Sequence, residues 1–270
     1  MNFNVIVCIK QVPGTIEVKI DPKTNTLIRE GIENIINPFD MYAIEEGVRI
    51  KERLKTSFPD LKVNVIAMTM GPTQAEKILR DAISSGVDKS ILLSDKAFAG
   101  ADTLATANTI ASAITKIGDF KIIICGKQTI DGDTGQVGPE LAKCLGIPFV
   151  GYVSEISYLD DSKINVKQLK DKKYELLEVN LPVVLSVLKE INNPRIPSLR
   201  NMMKAKSEII EKWGLGELGL DENEVGLQGS KTRVIKIFKP EVKTETKIIE
   251  GDPDKQVDEL YDELKKYCKV

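Results

Sequence analysis

The sequence predicts an α/β protein: a doubly wound, mostly parallel sheet, then a small antiparallel β-meander and an extended C-terminal arm. Three observations carry this. Between Phe3 and Val153, short runs rich in Val, Ile and Leu alternate with stretches of helical periodicity, the mark of repeated βαβ units. The runs are continuously apolar, as in strands covered on both faces. Beyond Val153, apolar pieces follow one another with only short charged turns between them.

Phe3–Ile9 reads as the first buried strand. Val18/Ile20 and Leu27/Ile28 flank Asp21-Pro22-Lys23-Thr24-Asn25, so Gly14–Asn34 reads as a hairpin excursion. Asn37-Pro38 opens a helix, with Asn as N-cap and Pro at the first helical position; Ala43, Ile44, Gly47, Val48 and Leu54 share its face. Leu61–Met68 is a strand. After Gly71-Pro72, Ala75, Ile78, Leu79, Ala82 and Ile83 form a helical stripe. Ser90–Leu93 is a strand, Leu104, Ala107, Ala111 and Ile114 mark a helix, and Phe120–Cys125 is another strand. Val137, Leu141, Cys144 and Leu145 mark a helix ended by Gly146, and Ile147–Val153 begins a further strand. Ile156–Leu159, Ile164–Leu169 and Tyr174–Val179 form the meander, and Leu181–Leu188 returns to the first sheet. Beyond Ile191 the chain turns polar; glycines crowd between Gly214 and Gly229, where no amphipathic helix is expected. Asp252-Pro253 caps a last helix carrying Val257, Leu260, Tyr261 and Leu264. The expected division is a nucleotide-binding α/β domain over residues 1–206 and, over 207–270, an arm and helix too poor in apolar residues for a core of their own, which wrap either this domain or a partner chain.

Composition excludes several kinds of chemistry. The 270 residues contain no histidine, so no Ser-His-Asp or Cys-His nucleophile and no histidine metal ligand or acid–base step is available. The net charge of −2 argues against a nucleic-acid binder, which needs a basic excess to neutralise phosphates. Cys8, Cys125, Cys144 and Cys268 form no CxxC pair and have neither zinc nor iron–sulfur spacing, so no metal site is expected. No apolar run approaches the roughly 18 residues that span a bilayer. The expectation is a soluble, cytoplasmic protein with no membrane partner.

The segment Cys125–Gly138 is the richest in candidate chemistry. It follows a strand, carries Gly126, Gly132, Gly135 and Gly138, and leads into a helix whose first N–H groups suit an anionic phosphate. Asp131 and Asp133 would repel phosphate, and fit better as acceptors from ribose hydroxyls, as caps or as loop-ordering groups. The segment is neither GxGxxG nor a Walker loop. A nucleotide site and a plain glycine-rich turn with caps both account for it. Two more strand–helix loops should lie nearby: Thr69–Thr73, with Met70, and Ser94–Thr103, where small residues surround Phe98. Asp102 and Thr103 read either as an N-cap or as part of a wall that a flat ligand approaches. Asn37–Asp40 would supply a fourth wall.

These pieces resemble the beta (small) subunit of electron-transferring flavoprotein. The matching stretches, in order, are Val7–Pro13, Asn37-Pro38-Phe39-Asp40 with Ala43-Ile44-Glu45-Glu46, Gly71-Pro72, Gly126–Asp131, and Asn193-Pro194-Arg195 through Met203-Lys204-Ala205-Lys206. The chain departs from the family at Lys170–Glu175, where an acidic-Gly-Gly turn is common. The resemblance implies a Rossmann-type fold of the adenine nucleotide alpha-hydrolase-like kind and a heterodimer with an FAD-carrying alpha subunit. It further implies a nucleotide site at Cys8, Asn37, Phe39, Asp40, Met70 and Gly126 to Gln136, including Gln128, Asp131, Gly132, Asp133, Thr134 and Gly135. AMP occupies that site in simple members and a second FAD in electron-bifurcating ones. Phe98-Ala99-Gly100-Ala101-Asp102-Thr103-Leu104-Ala105-Thr106-Ala107 and Gly132–Glu140, with Val137, resemble the bifurcating group, which favours FAD. The implied role is to accept hydride from NADH and divide the electrons between the alpha-subunit flavin with a flavin-containing dehydrogenase and a ferredoxin or flavodoxin. No side chain of this chain need be catalytic, because the flavin carries the chemistry. The alternatives are a non-bifurcating carrier with structural AMP and a nucleotide-binding regulatory module without a redox role. Asn193–Lys206 resembles the family's recognition loop for dehydrogenases, with Leu199 as anchor, Met202 and Met203 beside it, and Arg195, Arg200, Lys204 and Lys206 as a basic rim. The competing reading is a surface helix whose Leu and Met face the core.

Overall fold

A computed structural model describes residues 2–14, 19–20, 27–28, 33–235 and 246–267. Strand β1 (Asn2–Cys8) leads into four short strands, β2 (Gln11–Pro13), β3 (Lys19–Ile20), β4 (Leu27–Ile28) and β5 (Asn34–Ile36). There follow α1 (Pro38–Ser57), β6 (Lys62–Met70), α2 (Glu76–Ser84), β7 (Lys89–Leu93), α3 (Thr103–Ile117), β8 (Phe120–Gly126) and α4 (Val137–Leu145). The chain continues through β9 (Phe149–Leu159), β10 (Lys163–Lys170), β11 (Lys173–Asn180), β12 (Val183–Val187), α5 (Leu199–Ser207), β13 (Glu211–Trp213), α6 (Leu215–Leu218), α7 (Gly226–Gly229) and α8 (Pro253–Lys265).

The main sheet runs β11-β10-β9-β12-β8-β1-β6-β7-β13. In the order from β9 to β13 every neighbouring pair is parallel, and the antiparallel pairs of this sheet are β9–β10 and β10–β11. Side chains of β1 alternate between the two faces. Phe3, Val5 and Val7 pack with Ala43, Ile44 and Ile50 of α1 and Ile78 and Leu79 of α2. Ile6 and Cys8 pack with Ala107, Ile110 and Ile114 of α3 and Leu141 of α4. Both faces are thus covered, and continuously apolar strands follow. Gly47 lets α1 lie close on this sheet: a Cβ there would stand 2.9 Å from Val7 Cγ2 and 3.3 Å from Val65 Cγ1.

Several expectations change in detail. Ile147–Val153 and Ile156–Leu159 are not separate pieces. They form the single strand β9, parallel to β12 at its start and antiparallel to β10 further on. Tyr152, at φ 55°, sits where the register shifts, an extra residue that period-two alternation does not reveal. The β3–β4 hairpin is present, while its turn, Asp21 to Asn25, and Val18 lie outside the described residues. In the β10–β11 turn Asp171 takes φ 53°, the left-handed conformation a glycine would otherwise supply. The expected boundary at 206/207 does not coincide with the compact unit, which runs to Val234. Glu211–Trp213 adds β13 to β7, and Ile210 and Val225 are buried. Residues 235–270 form a second unit; none of the side chains of α8 is buried, and Lys247 pairs with Glu259 at 2.8 Å. Among the described residues no helix is long and apolar enough to cross a membrane.

Gly47→Ala tests the helix seat. Replacing a helical glycine gains up to about 1 kcal/mol of propensity, whereas overpacking costs about 1–3 kcal/mol. We expect a net loss, read as a lower urea midpoint; a raised midpoint would mean that α1 has room to spare.

Candidate functional site

The chain moves outward from β1 to β6 and β7, then returns to lay β8 on the other side of β1. In open α/β sheets ligands bind in the crevice outside the carboxyl ends of the strands at such a reversal, which here falls between the loops leaving β1 and β8. Cys8 ends β1 and lies opposite Cys125 of β8. Asp40, in the first turn of α1, joins both strand ends: its Oδ2 accepts from Lys10 N at 2.7 Å and its Oδ1 from Gly126 N at 3.2 Å. Only a glycine fits at 126, because a Cβ would stand 2.5 Å from Asp40 Oδ1 and 2.7 Å from the Phe39 carbonyl carbon. Asn37 occupies the expected N-cap position but makes no capping bond. Its Nδ2 donates to Gln128 O at 2.9 Å and its Oδ1 accepts from Ile130 N at 3.2 Å. The side chain pins the β8–α4 loop instead of its own helix.

Burial pushes the Asp40 carboxyl up to about 7, against the opposing pull of the Lys10 and Gly126 N–H groups and the Asn37 side chain. Burial, with a smaller contribution from the Asp40 charge, raises the Cys8 thiol to about 12. Cys125 is also held well above its ordinary value, by burial and then by Cys8 and Asp40. Both thiols therefore stay protonated and act as small hydrophobes rather than nucleophiles.

Residues 130–136 are exposed. Lys10 Nζ meets both Asp131 oxygens at 2.8 Å. Burial alone would raise the Asp131 carboxyl, but the bonds from Lys10 and Thr129 and the Lys10 charge bring it below its ordinary value. Gln128 Nε2 donates to Asp133 Oδ1. Asp133 and Gly135 adopt φ 56° and 61°, folding the loop back before α4. Gln136 at the N-cap of α4 makes no side-chain cap. A phosphate-bearing ligand would thus meet α4 N–H groups not taken by a capping side chain, with Asp131 and Asp133 already partnered. Thr103 Oγ1 lies 3.3 Å from Gln136 Oε1 and 3.1 Å from Glu140 Oε1. Glu140 Oε2 is buried and, among the described residues, has no hydrogen-bond partner. Its carboxyl is raised by burial and by Asp102, and could accept from a ligand hydroxyl. The sequence does not single out Lys10 or Glu140 as site residues; each is legible only as a member of a longer stretch, Val7–Pro13 and Gly132–Glu140.

The β7–α3 loop has partners of its own. Phe98 is buried in the core. Ala99 O accepts from Leu227 N at 3.0 Å, and Gly100, at φ 75°, faces Leu227. Gly226 is required here: a Cβ on it would stand 1.9 Å from Ala97 O. Asp102 is the N-cap of α3, accepting from Ala105 N at 2.9 Å. Its other oxygen accepts from Lys231 N, Thr232 N and Thr232 Oγ1 at 2.8 to 3.0 Å. Thr106 N donates to Asp102 O within α3. Among the expected site residues, Cys8, Asn37, Phe39, Asp40, Gly126, Gln128 and Asp131 come together at the switch point, and Thr103 meets Gln136. Met70 ends β6, while Gly132 and Thr134 lie on the exposed loop and Val137 begins α4. Phe98, Ala99, Gly100 and Asp102 are packed against or bonded to residues 225–232.

The segment 193–206 presents an apolar ridge. Ile196 is 92% exposed, Leu199 81%, Met203 66% and Met202 46%, and Ala205 is the buried residue of α5. The reading in which Leu199 and the methionines face the core is therefore excluded. Arg195 differs from the expectation of a rim contact: its side chain donates to Glu45 and Glu52 at 2.7 to 3.0 Å. Bonding to Glu52 and Glu45 holds the Arg195 proton more tightly than usual, and the same bonding lowers the Glu52 carboxyl.

Fold and crevice together define an open, doubly wound α/β protein with its glycine-rich loop at the topological switch point. The chain belongs to the electron transfer flavoprotein family: the model of the electron transfer flavoprotein domain matches residues 24–218. It is of the beta-subunit kind, in a family whose work is electron transfer. It is 44% identical over 263 residues to the electron transfer flavoprotein subunit beta of Thermoanaerobacterium thermosaccharolyticum, covering 97% of this chain and 98% of that one. It is 43% identical over 249 residues to the caffeyl-CoA reductase-Etf complex subunit CarD of Acetobacterium woodii, covering 92% of each. Protein FixA of Azotobacter vinelandii is 41% identical over 241 residues, 87% of this chain and 83% of that one.

The raised Asp40 carboxyl makes stability pH-dependent. The folded state binds this proton more tightly than the unfolded chain, so the contribution is fully present below the ordinary value of 3.8 and is lost as pH rises through about 7. Urea unfolding at several pH values should show wild type losing stability relative to Asp40→Asn between pH 4 and 7, at no more than about 1.4 kcal/mol per pH unit. Parallel profiles would mean that Asp40 does not titrate in that window.

Proposed function

We propose that this chain is the beta subunit of a heterodimeric electron-transferring flavoprotein whose switch-point crevice binds FAD and serves NADH-dependent electron bifurcation. One observation carries the reading. The two stretches that resemble the bifurcating group, Phe98–Ala107 and Gly132–Glu140, are distant in sequence yet adjacent, joined by Thr103 to Gln136 and Glu140. When bound, the flavin supplies hydride acceptance from NADH and division of the electron pair between the alpha-subunit FAD with its dehydrogenase and a ferredoxin or flavodoxin. This chain's residues bind and orient it. The start of α4 faces phosphate, Glu140 accepts from a hydroxyl, and the buried, protonated thiols of Cys8 and Cys125 form an inert floor. An alpha subunit and a flavin-containing dehydrogenase are the partners. The kinship with a subunit named for a caffeyl-CoA reductase-Etf complex supports a dehydrogenase partner, with the ridge of Leu199, Met202 and Met203 as its docking face. The complex is assigned to the cytoplasm.

AMP in the crevice is the second reading, favoured by the cover that residues 225–230 form over Ala99 and Gly100.

Extraction and counting of nucleotides from the purified heterodimer decides between the two readings. Two FAD are expected; one FAD with one AMP sinks the bifurcating reading, and no flavin points to a regulatory module. Asp131→Ala combined with Gly100→Leu should lower crevice occupancy, and full occupancy would remove the site assignment. Leu199→Ala should cut electron delivery to the dehydrogenase by roughly tenfold or more with flavin content intact. Unchanged delivery would remove the docking face.

A further inference from the structure

The apolar ridge between Arg195 and Ala205 has little to hold it in shape. Ile196, Leu199 and Met203 point to solvent, so their burial contributes nothing to the ridge's own order. Its ends are tied down by polar contacts with α1, with α2 and with the loop after α2. At the leading end, α1 offers a stripe of groups at helical spacing. Tyr42 O and Glu46 Oε2 each accept from Asn192 Nδ2 at 3.0 Å, and Arg49 Nη1 donates to Ile191 O at 3.2 Å. Glu45 accepts from Arg195 N, Nε and Nη2 at 2.8 to 3.1 Å, and Glu52 from Nη1 and Nη2 at 2.7 and 3.0 Å. The Glu46 carboxylate, fully buried, is matched by Arg53 at 2.7 Å. At the trailing end, Arg80 of α2 donates to Ala205 O at 2.5 Å, and Lys204 Nζ donates to Asp88 O at 3.1 Å.

We propose that Arg195 is a positioning residue: its guanidinium, bonded to Glu45 and Glu52, anchors the start of the docking ridge to α1, so that the ridge meets the partner dehydrogenase already ordered. The proposal rests on the docking reading of Leu199 above. It reassigns Arg195 from a rim contact to a clamp, because the side-chain bonds a partner carboxylate would seek are made within the chain. A bidentate guanidinium suits this task, since its fork fixes orientation as well as position. Ordering the ridge in advance removes a conformational cost from binding.

Glu45 makes the test clean. Its side chain is 7% exposed, so it cannot touch a partner. Hydrogen–deuterium exchange of residues 196–203 would be measured in the purified heterodimer, and affinity for the flavin-containing dehydrogenase that co-purifies with it. Variants are Glu45→Gln, Glu52→Gln, Arg195→Ala, Arg195→Lys and Leu199→Ala, with flavin content as the control for folding. Glu45→Gln and Arg195→Ala should each speed exchange of the ridge about tenfold. Each should weaken binding about fivefold, mainly through slower association, with no further loss in the double variant. Arg195→Lys should recover part of both effects. Glu52→Gln, at a solvent-facing position that does not threaten folding, should move both in the same direction by less. The proposal is overturned if Glu45→Gln and Arg195→Ala leave ridge exchange as in wild type, or if exchange rises while affinity stays the same. A rim-contact role predicts the opposite pattern: Arg195→Ala weakens binding while Glu45→Gln leaves it unchanged or tighter. Leu199→Ala with undiminished affinity would refute the docking reading itself, while the exchange data would still decide whether Arg195 orders the ridge.

Discussion

The carboxylate of Asp40 accepts the N–H of Lys10 just past β1 and the N–H of Gly126 at the end of β8. One buried side chain thus closes the point at which the sheet reverses direction. Removing a carboxylate from water is costly, and here the cost is partly offset by two backbone donors that would otherwise lack acceptors at diverging strand ends. The rest of the crevice depends on this junction. Gly126 must lack a side chain so that the first turn of α1 can reach β8, and Asn37 must spend its amide on Gln128 and Ile130 rather than on its own helix. Cys8 and Cys125 lie beside the same carboxylate, and burial and its charge together keep both thiols protonated.

Around that junction the site is assembled by pairs from distant parts of the chain. Lys10 takes up the charge of Asp131, and Thr103 bridges to Gln136 and Glu140. Asp102 does two tasks at once, capping α3 and holding Lys231 and Thr232. The small residues near Phe98 have a structural use besides any ligand: they leave room for Gly226 and Leu227. On the opposite face of the sheet, α1 serves the docking ridge as well as the crevice, with Asp40 at its start and Glu45, Arg49 and Glu52 along its length. One helix thereby links the candidate cofactor site to the candidate docking face.

Local pattern carried most of the architecture. Parallel strands covered on both faces are apolar throughout, so β1, β6, β7, β8 and β12 stand out from their Val and Ile content, and glycines punctuate the turns between them. The glycine-rich loop after β8 and the Asn37–Asp40 turn were legible as candidate walls for the same reason. Signals that need a neighbour were lost. The bulge at Tyr152 has no local signature, and β13 is too short for any periodicity to mark it. The exposed face of α5 cannot be told from a buried one by spacing alone. Asn37 and Asp102 were both recognisable as caps, but only Asp102 acts as one, because Asn37 has the β8–α4 loop within reach as a better use for its amide.

By itself, then, the sequence determined the class of fold, the order of its strands and helices and the identity of the loop that leaves β8, because these follow from short-range hydrophobic patterning and from the conformations that Gly and Pro impose. Tertiary structure alone decided which polar side chain meets which. Asp40 with the ends of β1 and β8, Lys10 with Asp131, Thr103 with Glu140 and Arg195 with Glu45 and Glu52 are all pairs across long stretches of chain. A charged residue carries no local mark of its partner: the pairing is fixed by where the packed helices and strands place the two groups, and by the cost of leaving either one buried and alone.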